Sequence, residues 1–102
     1  MSVETKIAKA IYKRHPIYFT YNNLPRLVEP HHFGILKGKK QLHAFQYQGQ
    51  SVNGPLPQWR NFKLRLIKDL SINENQFFNV RHSYNPNNCK FSRIDRSVWD
   101  LQ

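Results

Sequence analysis

The segment RNFKLRLIKDL, residues 60–70, alternates cationic with large apolar side chains. If it forms a strand, successive side chains point to opposite faces, so Arg60, Phe62 and Leu64 share one face. Phe62 and Leu64 are expected in the core, which places Arg60 inward at the end of the strand. A guanidinium held there can bind a phosphate through two hydrogen bonds, whereas the ammonium group of Lys63, on the other face, binds less selectively. The pattern predicts an anion contact at Arg60.

The formal charge of +10 is concentrated in the first two thirds of the chain. Residues 1–68 hold 12 Lys and Arg against 2 Asp and Glu, while residues 69–102 hold 4 of each. The stretch between Pro30 and Lys68 contains no acid at all. Such a field attracts phosphates and other anions, and a basic surface that only aids solubility is the alternative.

Histidine and cysteine raise the question of a metal site. Neighbouring residues of an extended chain point opposite ways, which separates His31 from His32, and no carboxylate follows before residue 68 to complete a site with His43. The single Cys89 has no CxxC partner and is expected to be structural. No metal and no cofactor are therefore predicted. His31 and His43 are expected to hydrogen-bond beside an anion pocket, and a satisfied rim histidine is the alternative.

Catalysis requires a nucleophile with a base, paired carboxylates or a metal, and the sequence offers none of these convincingly. We therefore expect a protein that is not an enzyme. A metal-independent nuclease is a further alternative, with His31 and His43 as acid and base and Arg60 stabilising the phosphorane. Any basic sequence that contains histidine offers such a set of three residues, so the pattern is not specific for a nuclease.

Aromatic residues interleaved with cations are a signature of single-stranded nucleic-acid binding, because bases stack on rings while phosphates meet Lys or Arg. Phe45, Tyr47 and Trp59 lie close in sequence to Arg60 and Lys63. The alternative is that most of these rings build the core of a chain this small.

Apolar spacing predicts one helix followed by about five short strands. Ile7 and Ile11 recur at helical spacing within residues 2–14, Ser2 can cap the helix, and Pro16 ends it. Five segments alternate or are rich in β-branched and aromatic residues, and KDLSI is ambiguous between helix and strand. The strand segments are IYFTY, RLVEPHHFGIL, QLHAFQY, WRNFKLRLI and FSRIDRSVW; turns fall at NNLP, KGKK and HSYNPNN, and a loop at residues 48–57.

These elements predict a mainly β, α+β fold: a small, strongly bent, five-stranded SH3-like or Sm-like barrel with one N-terminal helix. One domain is expected over residues 1–102, with the helix in 1–15, the barrel core in 16–73 and a closing segment in 74–102. No apolar run approaches the roughly 20 residues that span a bilayer, and no signal peptide is evident, so no membrane contact and a cytoplasmic location are expected.

The order of these segments resembles that of the WYL-domain family. The matching motifs are R.VEP...F in residues 26–33, QLHAF in 41–45 and R.FKL..I in 60–67. Where the family has the Trp-Tyr-Leu that names it, residues 40–42 read Lys-Gln-Leu, so only the leucine matches.

The resemblance implies an Sm-like barrel with a basic pocket for nucleotides or single-stranded nucleic acid. It also implies Arg26 and Arg60 as the main anion contacts, with Tyr21 supplying a hydroxyl or a stacking face. Family members commonly regulate an attached winged helix-turn-helix domain in bacterial transcription control and phage defence. No such domain is predicted in these 102 residues.

The favoured hypothesis is a non-enzymatic regulatory or sensor domain that binds a nucleotide or single-stranded nucleic acid in a basic pocket. The alternative is a protein interaction module that forms a homodimer or pairs with a separate regulator. The predicted ligand-binding residues are Tyr21, Arg26, His31, His43, Arg60 and Lys63.

Overall fold

The computed structural model describes residues 2–49 and 58–100. Helix α1, Val3–Lys13, begins where the Ser2 hydroxyl accepts a hydrogen bond from the Thr5 amide, and it ends at Arg14, which adopts the left-handed conformation with φ 59°. Ile7, Ala10 and Ile11 are buried against the sheet. The predicted helix is confirmed, including its cap and its apolar face.

Six strands form one antiparallel sheet in the described part of the chain, one more than predicted, because the ambiguous KDLSI forms a strand. The sheet order is β4-β3-β2-β1-β5, and β6 pairs with β2. The mainly β, α+β fold is confirmed. The strands are β1 Ile17–Tyr21, β2 Leu24–Leu36, β3 Lys39–Gly49, β4 Gln58–Lys63, β5 Lys68–Ile72 and β6 Arg93–Ser97, with 3-10 turns at Leu64–Leu66 and Pro86–Asn88.

Two tight hairpins fix the register of the first three strands. Asn22 and Asn23 join β1 to β2 with φ values of 54° and 63°, and Lys37 and Gly38 join β2 to β3 with φ values of 52° and 76°. Two successive residues with positive φ match the right-handed twist of the flanking strands. Both turns were predicted. Of the predicted loop at residues 48–57, the first two residues belong to β3 and the others lie outside the described residues.

Strand β2 is the long central strand, and its two halves pair differently. Residues 24–28 pair with β1 and residues 32–35 pair with β6, while β3 pairs along residues 26–36. Pro30 falls between the two partners, so its missing N–H costs no ladder hydrogen bond on that side. The register with β3 shifts by one residue between Pro30 and His32, which marks a β-bulge.

Strand β4 is shorter than the sequence predicted. It ends at Lys63, and Leu64–Leu66 form a single 3-10 turn before β5. Phe62 and Leu64 are nevertheless both buried, as expected from the apolar alternation. No helix among the residues described above is long and apolar enough to cross a membrane.

Candidate anion pocket and histidine cluster

The side chain of Arg26 lies in the core, with only 3% of the residue exposed. Its Nη2 donates to the backbone oxygen of Tyr21 at 3.1 Å, and its Nη1 donates to Oε1 of Gln46 at 3.4 Å. The guanidinium carbon also lies 5.6 Å and 5.7 Å from the ring centroids of Tyr21 and Phe62. We call the set Tyr21, Arg26, Gln46, Arg60 and Phe62 the arginine pocket.

Electrostatics show that Arg26 and Arg60 are close enough to repel each other. Burial lowers the pKa of Arg26, and the charge of Arg60 lowers that pKa further. Burial also lowers the pKa of Arg60. A guanidinium stays protonated at neutral pH despite such shifts, so both arginines carry a positive charge.

Arg26 takes no part in the ion pairs found among the described residues. They join Lys40 with Glu4 and Asp95, Arg81 with Glu29, and Arg93 with Asp95. Nε of Arg26 is buried and has no hydrogen-bond partner within residues 2–49 and 58–100. Arg26 therefore carries its charge into the core with no carboxylate among its described contacts.

The side chain of Tyr21 contacts the backbone of Lys63. The hydroxyl of Tyr21 accepts a hydrogen bond from the amide of Lys63 at 3.1 Å, and the Tyr21 side chain is buried. The structure thus gathers Tyr21, Arg26 and Arg60, with the Lys63 amide beside them. The half-buried Arg60 also lines an adjacent groove of about 350 Å³, together with His43, Trp59, Asn61, Ser83, Asn85, Asn88 and Cys89.

His31 lies elsewhere, in the core. Its Nδ1 donates to the backbone oxygen of Glu29 at 2.9 Å, and its Nε2 accepts from the Arg81 amide at 3.2 Å. Burial lowers its pKa to about 4, so the ring is neutral at neutral pH. With both nitrogens bonded to the backbone, His31 is a structural residue in this geometry.

The pair formed by Glu29 and Arg81 was not found from the sequence. Nε and Nη2 of Arg81 donate to the two carboxylate oxygens of Glu29 at 2.7 Å and 3.0 Å. The guanidinium carbon lies 4.3 Å from the ring centroid of Phe45. The two partners are 52 residues apart, and no local pattern marks them.

His43 lies at the wall of the groove. Its Nδ1 contacts Oδ1 of Asn61 at 2.7 Å, its Nε2 contacts Sγ of Cys89 at 3.3 Å, and its ring stacks on Trp59 at 4.7 Å with an interplanar angle of 3°. Burial lowers its pKa. Trp59 is thereby held among histidine rings, since His31 packs on it as well.

The prediction that His31 and His32 lie on opposite faces is wrong. Both rings contact Tyr84, with centroid distances of 5.0 Å and 5.5 Å. The bulge after Pro30 adds a residue to β2 and interrupts the alternation of side chains. His32 is fully buried, its ring stacks on His43, and its Nδ1 contacts the Tyr84 hydroxyl at 2.6 Å.

No protein-family model and no curated protein matches this chain. One solved structure is similar: proteasome accessory factor B/C (PafBC) of Arthrobacter aurescens, with a TM-score of 0.68 and 20% identity over 84% of this chain. The match spans 14% of the PafBC chain. At this identity the likeness shows the fold alone, and it supports a WYL-like fold.

Proposed function

We propose that this domain is a non-enzymatic regulatory module that binds a nucleotide or single-stranded nucleic acid at the arginine pocket. The observation that carries the proposal is the guanidinium of Arg26, buried beside Arg60 without a carboxylate among its described contacts. An unpaired buried charge costs several kcal/mol, and an anion that reaches the pocket would offset this cost.

The chemistry of the pocket favours phosphate over a carboxylate on a small acid. A guanidinium group binds phosphate through charge-assisted hydrogen bonds that are often bidentate. The groove that Arg60 lines also offers amide and hydroxyl groups from Asn61, Ser83, Asn85 and Asn88. Such groups can hydrogen-bond to a sugar or a base, which supports a nucleotide rather than free phosphate.

A regulatory role is supported by the fold. The structural neighbour PafBC is by its name an accessory factor, and the region similar to this chain is a small part of it. We therefore propose that ligand binding here controls another module or protein rather than a reaction. A bacterial, cytoplasmic setting in transcription control or phage defence is part of this proposal.

The test is a titration of the full chain with fluorescently labelled oligothymidylate and with ATP at several salt concentrations. Phosphate contacts release counterions, so log K is expected to fall linearly with log salt. Saturable binding with this slope, competed by unlabelled nucleotide, is the expected result. Absence of binding to both ligands, or binding independent of salt, would contradict the proposal.

An interaction module remains the second candidate, and one surface favours it. Phe77 is 72% exposed, and it shares a groove with Tyr12, which is also exposed, and with Lys9 and Lys13. Replacing Phe77 by Ser and measuring the mass in solution by light scattering tests this candidate. A dimer that becomes a monomer would support it, and a monomeric wild type would remove the homodimer.

The nuclease gains no support from the geometry. It needs His31 to exchange a proton with the substrate, and both ring nitrogens of His31 are hydrogen-bonded to backbone groups. Cleavage of an oligonucleotide in EDTA that disappears in His43→Ala would revive it.

A further inference from the structure

We propose that His32, His43 and Cys89 form a binding site for a transition-metal ion, with Zn²⁺ as the first candidate. Each residue offers one ligand atom, and these atoms all lie within 4.8 Å of one another. Metal binding does not require anion binding, although His43 and Cys89 line the same groove as Arg60. We call the three residues the histidine–cysteine cluster.

Three separate segments build the cluster. His32 on β2 and His43 on β3 face each other in the strand register, and Cys89 follows the 3-10 turn Pro86–Asn88. The bulge in β2 turns the His32 ring towards this side of the sheet. Sγ of Cys89 lies 3.3 Å from Nε2 of His43, already near the separation of two ligands on one zinc ion.

His32 supplies the second, independent observation. The residue is 0% exposed, and its Nε2 is buried without a hydrogen-bond partner in the part of the chain that the structure describes. Buried polar nitrogens are nearly always satisfied, so this atom requires an explanation. A metal ion bound between the three residues would satisfy it.

His32 and His43 each form a hydrogen bond through Nδ1, so the Nε2 atom of each ring is the one that can bind a metal. Oδ1 of Asn61 can only accept, so the proton of neutral His43 lies on Nδ1, and the lone pair lies on Nε2. At His32 the Tyr84 hydroxyl can accept from Nδ1 and donate to Ser97, and in this arrangement the lone pair of His32 lies on Nε2. Outer partners of this kind fix the ring orientation of metal-binding histidines.

The protonation states agree with this geometry. Burial lowers the pKa of His32 to about 3 and also lowers the pKa of His43, so both imidazoles are neutral at neutral pH. Metals bind neutral imidazole. Two imidazoles and a thiolate are the ligands that Zn²⁺ and Cu⁺ prefer, and carboxylate-binding ions such as Mg²⁺ are disfavoured.

Binding requires a small rearrangement. Ligand atoms of a tetrahedral zinc site are roughly 3–4 Å apart, so the cluster must contract by about 1 Å. The rings of His32 and His43 are stacked at 4.8 Å with an interplanar angle of 20°, and one of them must tilt to bring both lone pairs onto the ion. Cys89 is half-buried and lines the groove, which gives the metal a route of entry.

The alternative is that Cys89, His43 and Asn61 form a nucleophilic triad. Such a triad works through a thiolate paired with an imidazolium. Burial raises the pKa of Cys89 and lowers that of His43, which disfavours both charged forms. A metal site needs a neutral imidazole at His43, and the bound ion itself lowers the pKa of the thiol that it coordinates. The metal site therefore fits the surroundings better, and the triad becomes an outcome of the test.

The test is a titration of the full, tag-free, reduced chain with Co²⁺ and then Zn²⁺. We expect one ion per chain, a thiolate-to-cobalt charge-transfer band, and loss of that band when Zn²⁺ displaces Co²⁺. Cys89→Ser should abolish the band, and His32→Gln should weaken binding beyond the roughly 10–100-fold typical of an outer partner. His82→Gln, at an exposed histidine outside the cluster, is the matched control and should bind as wild type.

Alkylation of Cys89 in the wild-type chain gives a readout that needs no variant to fold. Zn²⁺ should slow its reaction with iodoacetamide at least tenfold. Absence of the cobalt band, or equal affinity in Cys89→Ser, would overturn the proposal. Rapid alkylation that Zn²⁺ does not slow and that is lost in His43→Gln would overturn it in favour of the triad.

Discussion

The arginine pocket and the histidine–cysteine cluster are both built on β2, and both place nitrogen atoms in the interior that described residues do not satisfy. In the pocket the atom is Nε of Arg26, part of a group that stays charged at neutral pH. In the cluster it is Nε2 of His32, whose ring is neutral. The charged guanidinium of Arg26 would be stabilised by an anion. The neutral imidazole of His32, near the Cys89 thiol, would instead bind a metal cation. One strand therefore offers sites for ligands of opposite charge.

The largest expected effect is a pH dependence of the free energy of unfolding. It comes from the buried histidines and not from the arginine pocket. Burial lowers the folded-state pKa of His31 from the ordinary 6.5 to about 4, so between these values the unfolded chain binds more protons. The stabilisation by His31 is complete above about pH 6.5 and is lost as the pH falls to about 4, by roughly 3 kcal/mol. Urea unfolding of the metal-free chain across this window measures it.

The variant that isolates this effect is His31→Gln, which cannot titrate. Its free energy of unfolding is expected to change less between pH 6.5 and 4 than that of the wild type. Arg60→Ala is the control and should keep the wild-type pH dependence. Parallel curves for wild type and His31→Gln would show that His31 is not the titrating group.

Zinc is expected to have the next largest effect on stability. An ion that binds only the folded chain stabilises it by about 2.7 kcal/mol at 100 times Kd, which raises Tm by roughly 10–20 °C for a domain of this size. Thermal unfolding followed by circular dichroism checks this. Cys89→Ser should show no such rise, and a rise equal to that of the wild type would remove the cluster from the account.

Anion affinity is expected to distinguish two cations of the same strand. Arg60→Ala should weaken nucleotide binding about 10–100-fold, because it removes charge-assisted hydrogen bonds at the pocket. Lys63→Ala is expected to weaken it by less than about threefold, because its half-exposed ammonium group is screened by solvent. Equal small losses in a fluorescence titration would indicate a diffuse basic surface instead of a pocket.

The smallest expected change is in the stability of Arg26→Met. Replacing a buried charge by an apolar side chain of similar length is often neutral or stabilising. We expect the free energy of unfolding to be unchanged or about 1 kcal/mol higher, while nucleotide binding is lost. Arg65→Met, at an exposed cation, is the control for both measurements. A large loss of stability in Arg26→Met would mean that the guanidinium is structural.

Local features of the fold could be predicted because their causes lie within a few residues. Ser2 as a helix cap and Asn22–Asn23 as a hairpin turn are examples. Strand alternation likewise placed Phe62 in the core. The approach of Arg26 to Arg60 was expected from a family pattern and not from chemistry.

The histidine–cysteine cluster could not be predicted, because its causes are not local. The bulge in β2 arises where Pro30 sits between two partner strands, and one inserted residue reverses which side of the sheet the next ring faces. Cys89 reaches His43 from 46 residues away through a segment with little regular structure. A single cysteine without a motif therefore gave no signal.

The central claim is that two sites built on β2 bind ligands of opposite charge. Its most direct test is an amide ¹H–¹⁵N NMR titration of the full chain, first with oligothymidylate and then with Zn²⁺. Oligothymidylate is expected to shift the amides of Arg26, Gln46 and Arg60, and Zn²⁺ those of His32 and Cys89. Two separate sets of shifts are the predicted result. A shift of Arg26 by Zn²⁺ or of His32 by oligothymidylate, or oligothymidylate shifts confined to the basic face of α1, would contradict the account.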